Sequence, residues 1–188
     1  MEGFGGVTTV GAGGRLTPRR REIVDAARRI LERDGEPALT MRRLAADVGM
    51  KAPSLYKHFP DKASLEIELI VFGFEESAAA FEAVLASRPR SQIAALGAAY
   101  RRYAREHPHI YRLMTDRPLP RERLPAGLEY RAAAPLAQAM GSVAGARAAW
   151  ALAHGLVMLE INGRFPADAD VDAAWDAGMS ALERIRRT

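Results

Sequence analysis

The chain has 188 residues, 48% of them apolar and none of them cysteine. That excludes disulfides and thiolate metal sites, and no run of about 18 apolar residues is present to span a bilayer. The charge is uneven: residues 1–62 hold 12 Lys and Arg against 8 Asp and Glu, whereas residues 63–188 are balanced at 15 of each. The positive excess of the first third suits a polyanion partner. With no signal-peptide layout at the N-terminus, a cytoplasmic protein without a membrane role is expected.

Residues 1–16 are glycine-rich and predict a disordered tail. Arg15, Arg19, Arg20 and Arg21 follow as a basic cluster, either a solvated helix start or an arm touching DNA. Thr17-Pro18 opens a first helix whose apolar stripe is Ile23, Val24, Ala27, Ile30 and Leu31, and Gly35 ends it. Thr40 is an N-cap residue for a second helix, with Met41, Leu44, Ala45 and Val48 on one face. Gly49 then supplies a turn, and a short third helix begins near Lys51 with Pro53 in its first turn. Helix, glycine turn and short helix form a helix-turn-helix pattern within an expected DNA-binding domain over residues 17–60.

Leu55 and Phe59 lie four apart and share the inward face of the third helix. The other face offers Lys51, Ala52, Pro53, Ser54, Tyr56, Lys57 and His58, with no carboxylate between Lys51 and Pro60. Phosphates require cations and neutral donors, while base edges require small or hydrogen-bonding groups that approach closely. A solvated face would ordinarily mix signs. The residues Thr40, Leu44-Ala45, Gly49, Leu55-Tyr56-Lys57-His58-Phe59 and Lys62 resemble the DNA-binding domain of the TetR family of transcriptional regulators. The resemblance implies an all-α protein of about nine helices: a three-helix head, then a larger helical domain for effector binding and dimerisation (residues 61–188).

The expected DNA contacts are Thr40, Arg42, Lys51, Ala52, Pro53, Ser54, Tyr56, Lys57, His58 and Lys62. Thr40 and the helix end behind it would hold a phosphate, and Arg42 is long enough to reach a guanine edge. Ala52, Pro53 and Ser54 would approach bases; Tyr56, Lys57, His58 and Lys62 would hold phosphates. Arg43 reads as either a further contact or a solvated side chain.

Beyond the head, Asp61 caps a long fourth helix to about Ala86, the expected lever between head and body. A fifth helix spans about Ser91 to Glu106, a short sixth His109 to Met114, and residues 116–125 read as a proline-rich loop. A seventh runs from about Pro125 to Met140, with Pro135 expected to kink it. The eighth, about Ala144 to Arg164, is apolar almost all round and needs cover on several sides. The ninth, about Asp170 to Arg187, is amphipathic. These last two are expected to pair with their copies in a homodimer, through Leu152, Leu159, Val171, Trp175, Met179 and Leu182. Trp150, His154 and Gly155 resemble a TetR-family subgroup named for that trio in its C-terminal domain.

A small apolar effector is expected in a body pocket lined by Phe72, Tyr100, Tyr103, Tyr111, Met114, Trp150, His154 and Met158, although core packing accounts for such residues as readily. His154 is either a satisfied core histidine or a ligand donor. No metal site is expected: a proline separates His107 from His109, and no strong third ligand is close in sequence. No nucleophile elbow, phosphate loop, dinucleotide fingerprint or zinc-protease motif is present, so neither catalysis nor a cofactor is expected. The expected function is a DNA-binding regulator, in the main a repressor, on a pseudo-palindromic operator of double-stranded DNA. Control by a protein partner is the second reading, and an enzyme using the apolar pocket the remote third.

Overall fold

A computed structural model describes residues 16–186 of the chain; the expected tail at residues 1–16 lies almost wholly outside them. The described residues form nine α-helices and two short 3₁₀ turns. In order these are α1 (Pro18–Asp34), α2 (Met41–Asp47), α3 (Ala52–Tyr56), α4 (Lys62–Ala86), α5 (Gln92–Glu106), α6 (Pro108–Thr115), α7 (Leu128–Met140), α8 (Val143–Ile161) and α9 (Val171–Arg186). The turns are Glu36–Ala38, leading into α2, and Arg121–Arg123, inside the proline-rich loop.

Local chemistry sets most helix starts. The Thr17 hydroxyl accepts from Arg20 N–H at 3.3 Å, Thr40 from Arg43 N–H at 3.2 Å, and the Asp61 carboxylate from Ser64 N–H at 2.6 Å. Each satisfies an N–H that the first turn leaves unpaired. Ser91 and Ser142 do the same for α5 and α8, both at 3.0 Å.

Two cores follow. The first gathers Ile23, Ile30 and Leu31 of α1, Leu44 of α2, Leu55 and Phe59 around α3, and Leu65 and Leu69 of α4, all fully buried. It continues past residue 60 to Ile110 and Leu113 of α6, so head and body share packed side chains. The second core joins α5, α6, α7, α8 and α9 through Ile93, Leu96, Tyr111, Met140, Val157, Trp175, Met179 and Leu182. No single described helix is long and apolar enough to cross a membrane; α7 and α8 reach that composition only as a pair bent by 104°.

Electrostatic braces tie the two parts. Arg28 of α1 makes paired 3.0 Å bonds to Glu76 of α4, and Glu32 accepts the Ile110 N–H at 3.1 Å. That bond places an α1 carboxylate on the first turn of α6. Glu36 accepts from Arg117 at 2.6 and 2.8 Å, and the Arg117 hydrogen bonds hold its carboxyl below the usual range. In the body, Arg101 of α5 bonds Glu160 of α8 at 2.8 and 2.9 Å and Asp172 of α9 at 2.6 Å. Trp175 also donates to Glu160, at 3.1 Å. Burial pushes the Glu160 carboxyl up, but these donors outweigh it and hold it ionised.

Candidate DNA interface and interior cavity

The turn between α2 and α3 is closed by Met50 N–H to Ala45 O at 2.8 Å and passes through Gly49 at φ +64°. A left-handed backbone is costly for a residue with a Cβ, which is why glycine stands there. The turn seats α3 with Leu55 and Phe59 fully buried, and Lys51, Pro53, Tyr56 and Lys57 exposed. Ala52, Ser54 and His58 are half-buried on its flanks. Thr40 and Arg42 are exposed on α2 beside this surface, and the Thr40 hydroxyl keeps its own proton to donate while capping the helix. Apart from Lys62, at the start of α4, the expected DNA-contacting residues fall on the carboxylate-free stretch from Lys51 to His58 and at the start of α2.

The other cations divide differently. Arg20 donates to the His58 carbonyl at 3.1 Å and to Glu68 at 2.9 Å, with its guanidinium 4.5 Å above the Phe59 ring. Arg19 donates to the Val48 carbonyl at 3.0 Å. These two brace α1 against the helix-turn-helix, so neither hangs free as an arm. Arg15 lies outside the described residues, and Arg21 is exposed. Arg43 pairs with Asp34, whose carboxyl is drawn below its usual pKa by the Arg33 hydrogen bond first and by Arg43 second. Lys62 stands 3.7 Å from Glu36 and 3.3 Å from Glu66, so acidic partners already compete for it.

The body holds a small, partly open apolar cavity of about 30 Å³, lined chiefly by Phe81, Leu96, Tyr100, Leu136, Trp150 and Met179. This space suits a water-sized occupant and is far below the roughly 300–1,000 Å³ of a drug-sized pocket. Of the eight expected lining residues, Tyr100 and Trp150 line it. Tyr111 and His154 stand behind Tyr100 in a hydrogen-bonded chain: Tyr100 hydroxyl to Tyr111 hydroxyl at 2.7 Å, and Tyr111 hydroxyl to His154 Nδ1 at 2.6 Å. Burial pushes the Tyr100 phenol up to about 12, against opposing hydrogen bonds from Tyr111 and Trp150. Burial likewise raises Tyr111 and holds the His154 imidazole below its ordinary value. All three groups are neutral near pH 7.

The other four stand elsewhere. Phe72 lies under Arg28, whose guanidinium sits 4.3 Å from its ring centroid. Tyr103 donates to the Gly73 carbonyl at 3.2 Å, in the seam between α4 and α5. Met114 packs with the head core and against Gly73, where a Cβ would stand 2.4 Å from its sulfur. Met158 packs on the body core without reaching the cavity. The lining residues that sequence reasoning missed, Phe81, Leu96 and Leu136, carry no polar signal that separates a cavity wall from core.

The expected interface residues also separate. Trp175, Met179 and Leu182 are buried inside the protomer, because the apolar stripe of α9 packs on α5 and α8; Met179 and Leu182 even line the cavity. They are core residues and not available to a second copy. Leu152 packs toward Gly178 of α9, and Val171 is half-buried against the body core. Leu159 is 45% exposed, with Trp150 at 50% on the same helix. Ala144, Ala148, Ala151 and Gly155 are exposed on the side of α8 that Leu159 shares, an apolar uncovered stripe, whereas Trp150 lies round the helix from it on the cavity flank.

Comparisons agree at both ends of the chain. A profile described as bacterial regulatory proteins of the tetR family matches residues 23–69, and one described as a tetracyclin repressor-like C-terminal domain matches residues 93–182. A helix-turn-helix-type transcriptional regulator of Mycobacterium tuberculosis is 31% identical over 166 residues, covering 83% of this chain and 76% of that protein. The nucleoid occlusion factor SlmA of Photobacterium profundum is 44% identical over 62 residues, 32% of each chain. Among solved structures, a protein of unknown function from a Rhodococcus species superposes with TM-score 0.71 at 25% identity, covering 92% of this chain and 97% of that one. The multidrug binding protein EbrR, crystallised with imidazole, shares the fold at TM-score 0.58 and 21% identity, over 90% and 96% of the two chains. An exposed, carboxylate-free recognition helix and these likenesses over head and body lead to one conclusion: the chain belongs to the TetR family of DNA-binding transcriptional regulators.

Proposed function

We propose that the protein is a homodimeric repressor of a pseudo-palindromic operator, acting in the cytoplasm and released by a small apolar effector. The observation that carries the DNA reading is α3 itself. Its apolar pair is fully buried, and every charge on its outer face is positive. Thr40, Arg42, Lys51, Ala52, Pro53, Ser54, Tyr56, Lys57 and His58 form the contact set, and Lys62 joins it when a phosphate displaces Glu36 or Glu66. The uncovered face of α8 supports the homodimer, with Leu159, Gly155 and the exposed alanines forming the seam. A dimer would set two recognition helices about 34–36 Å apart, one turn of the double helix.

Selection of bound duplexes from a random pool tests both halves together. The expected consensus is two inverted half-sites with fixed spacing; a single asymmetric half-site contradicts the dimer. Leu159→Arg places a charge on the seam and is expected to halve the mass seen by sedimentation at micromolar concentration. An unchanged mass would move the seam off α8.

The interior cavity of about 30 Å³ favours a second reading, in which a protein partner and not a small molecule controls the regulator. The fold of EbrR, a multidrug binding protein, supports the effector reading, since it shows this architecture in a small-molecule binder. Saturable binding of any small apolar probe in the body separates the two.

A further inference from the structure

The polar side chains nearest the cavity bond one another. Tyr100, Tyr111 and His154 bond one another at 2.7 and 2.6 Å, and the Trp150 indole opposes the rise in the Tyr100 pKa. Arg101, the cation that α5 carries next to Tyr100, is held by Glu160 and Asp172 and faces the groove between α5 and α9. The cavity walls are almost wholly apolar, with no countercharge for an ion and scarcely any polar surface turned toward a guest's hydroxyl. A guest that brought a polar group inside would leave it unpaired, at substantial cost.

The walls also suggest a shape. Phe81 and Tyr100 stack with ring centroids 6.2 Å apart and planes 17° apart, and Trp150 stands half-exposed on the same cavity. Flat aromatic walls accept a flat ring. Benzene-sized guests occupy apolar cavities of about 150 Å³, so the space has to grow. Met179 is the means. Its side chain lies over Gly97, its sulfur 2.4 Å from where a Cβ would stand, and an unbranched thioether repacks readily.

We propose that the cavity takes a small uncharged hydrocarbon of one ring, without a hydrogen-bonding group, and that Met179 is the side chain that yields to admit it. This rests on the effector reading and sharpens it to a chemical class.

The test uses the full-length protein with three one-ring probes of seven to nine heavy atoms, toluene, p-cresol and benzoate, followed by tryptophan fluorescence and thermal shift. Toluene is expected to bind saturably and at least about tenfold more tightly than p-cresol, because the hydroxyl enters without a partner. Benzoate is expected not to bind. Met179→Ala is expected to tighten toluene about tenfold, and Leu136→Ala, which removes as many atoms from a half-buried part of the wall, to tighten it less. Binding of p-cresol equal to or tighter than that of toluene overturns the hydrocarbon class while leaving an effector pocket in place. Toluene binding unaffected by both enlarged variants puts the site elsewhere and overturns the proposal. Failure of all three probes on the wild type and both variants removes the effector pocket with it.

Discussion

The head and the body are packed to different ends. The head core is mainly branched aliphatics with Phe59, most of them fully buried, and cations clamp it from outside: Arg20 over Phe59 and Arg19 on the Val48 carbonyl. The body core adds Tyr111, Trp175, Met140 and Met179 to its aliphatics, and leaves a small cavity and an apolar face of α8 open. A close-packed core holds one shape, whereas flexible side chains around a void permit more than one. The head presents a fixed surface; the body is the part that a ligand or a second copy completes.

Substitutions can break or sharpen that contrast. Phe59→Ala is expected to cost about 3–5 kcal/mol in denaturant unfolding, as truncation in a tight core does, and to abolish DNA binding. Phe81→Ala, beside the body's cavity and half-exposed, should cost only about 1–2 kcal/mol. Equal costs would mean that the two cores are equally rigid.

Next in size is Glu160→Ala, which strips Arg101 and the Trp175 indole of their shared acceptor. The pair is mostly buried, with 18% and 15% of the side chains exposed, so about 2–3 kcal/mol is expected, below the full cost of orphaning a buried charge. A loss under about 0.5 kcal/mol would reduce the network to a surface feature.

Lys57→Ala should leave stability unchanged, weaken binding to all DNA sequences and lower the salt slope by about one unit. Arg43→Ala should leave that slope alone, because Asp34 already neutralises it. A salt titration in which Arg43 matters and Lys57 does not would reverse the assignment.

The smallest effect is a pH dependence in the body. Burial holds the folded-state pKa of His154 below the unfolded value of about 6.5. As pH falls below that value the unfolded chain takes up a proton that the folded chain refuses, so stability drops; above it His154 contributes no slope. His154→Gln is expected to flatten the acid side of a stability-against-pH curve while retaining a side-chain partner for Tyr111. An unaltered curve would show that the histidine takes up its proton alike in the folded and the unfolded chain.

The sequence by itself determined the nine helices, the helix-turn-helix and its outward face. Those depend on neighbours three or four residues apart and on local caps such as Thr40 and Asp61, which a linear reading contains. Only the tertiary structure decided which apolar stripe meets which. It turned Trp175, Met179 and Leu182 inward, left Leu159 outside, and sent Phe72 and Met114 to the head while Phe81 and Leu136 took the cavity wall. Hydrophobic burial carries no direction, so an apolar residue states that it wants cover and not which helix, which ligand or which copy supplies it.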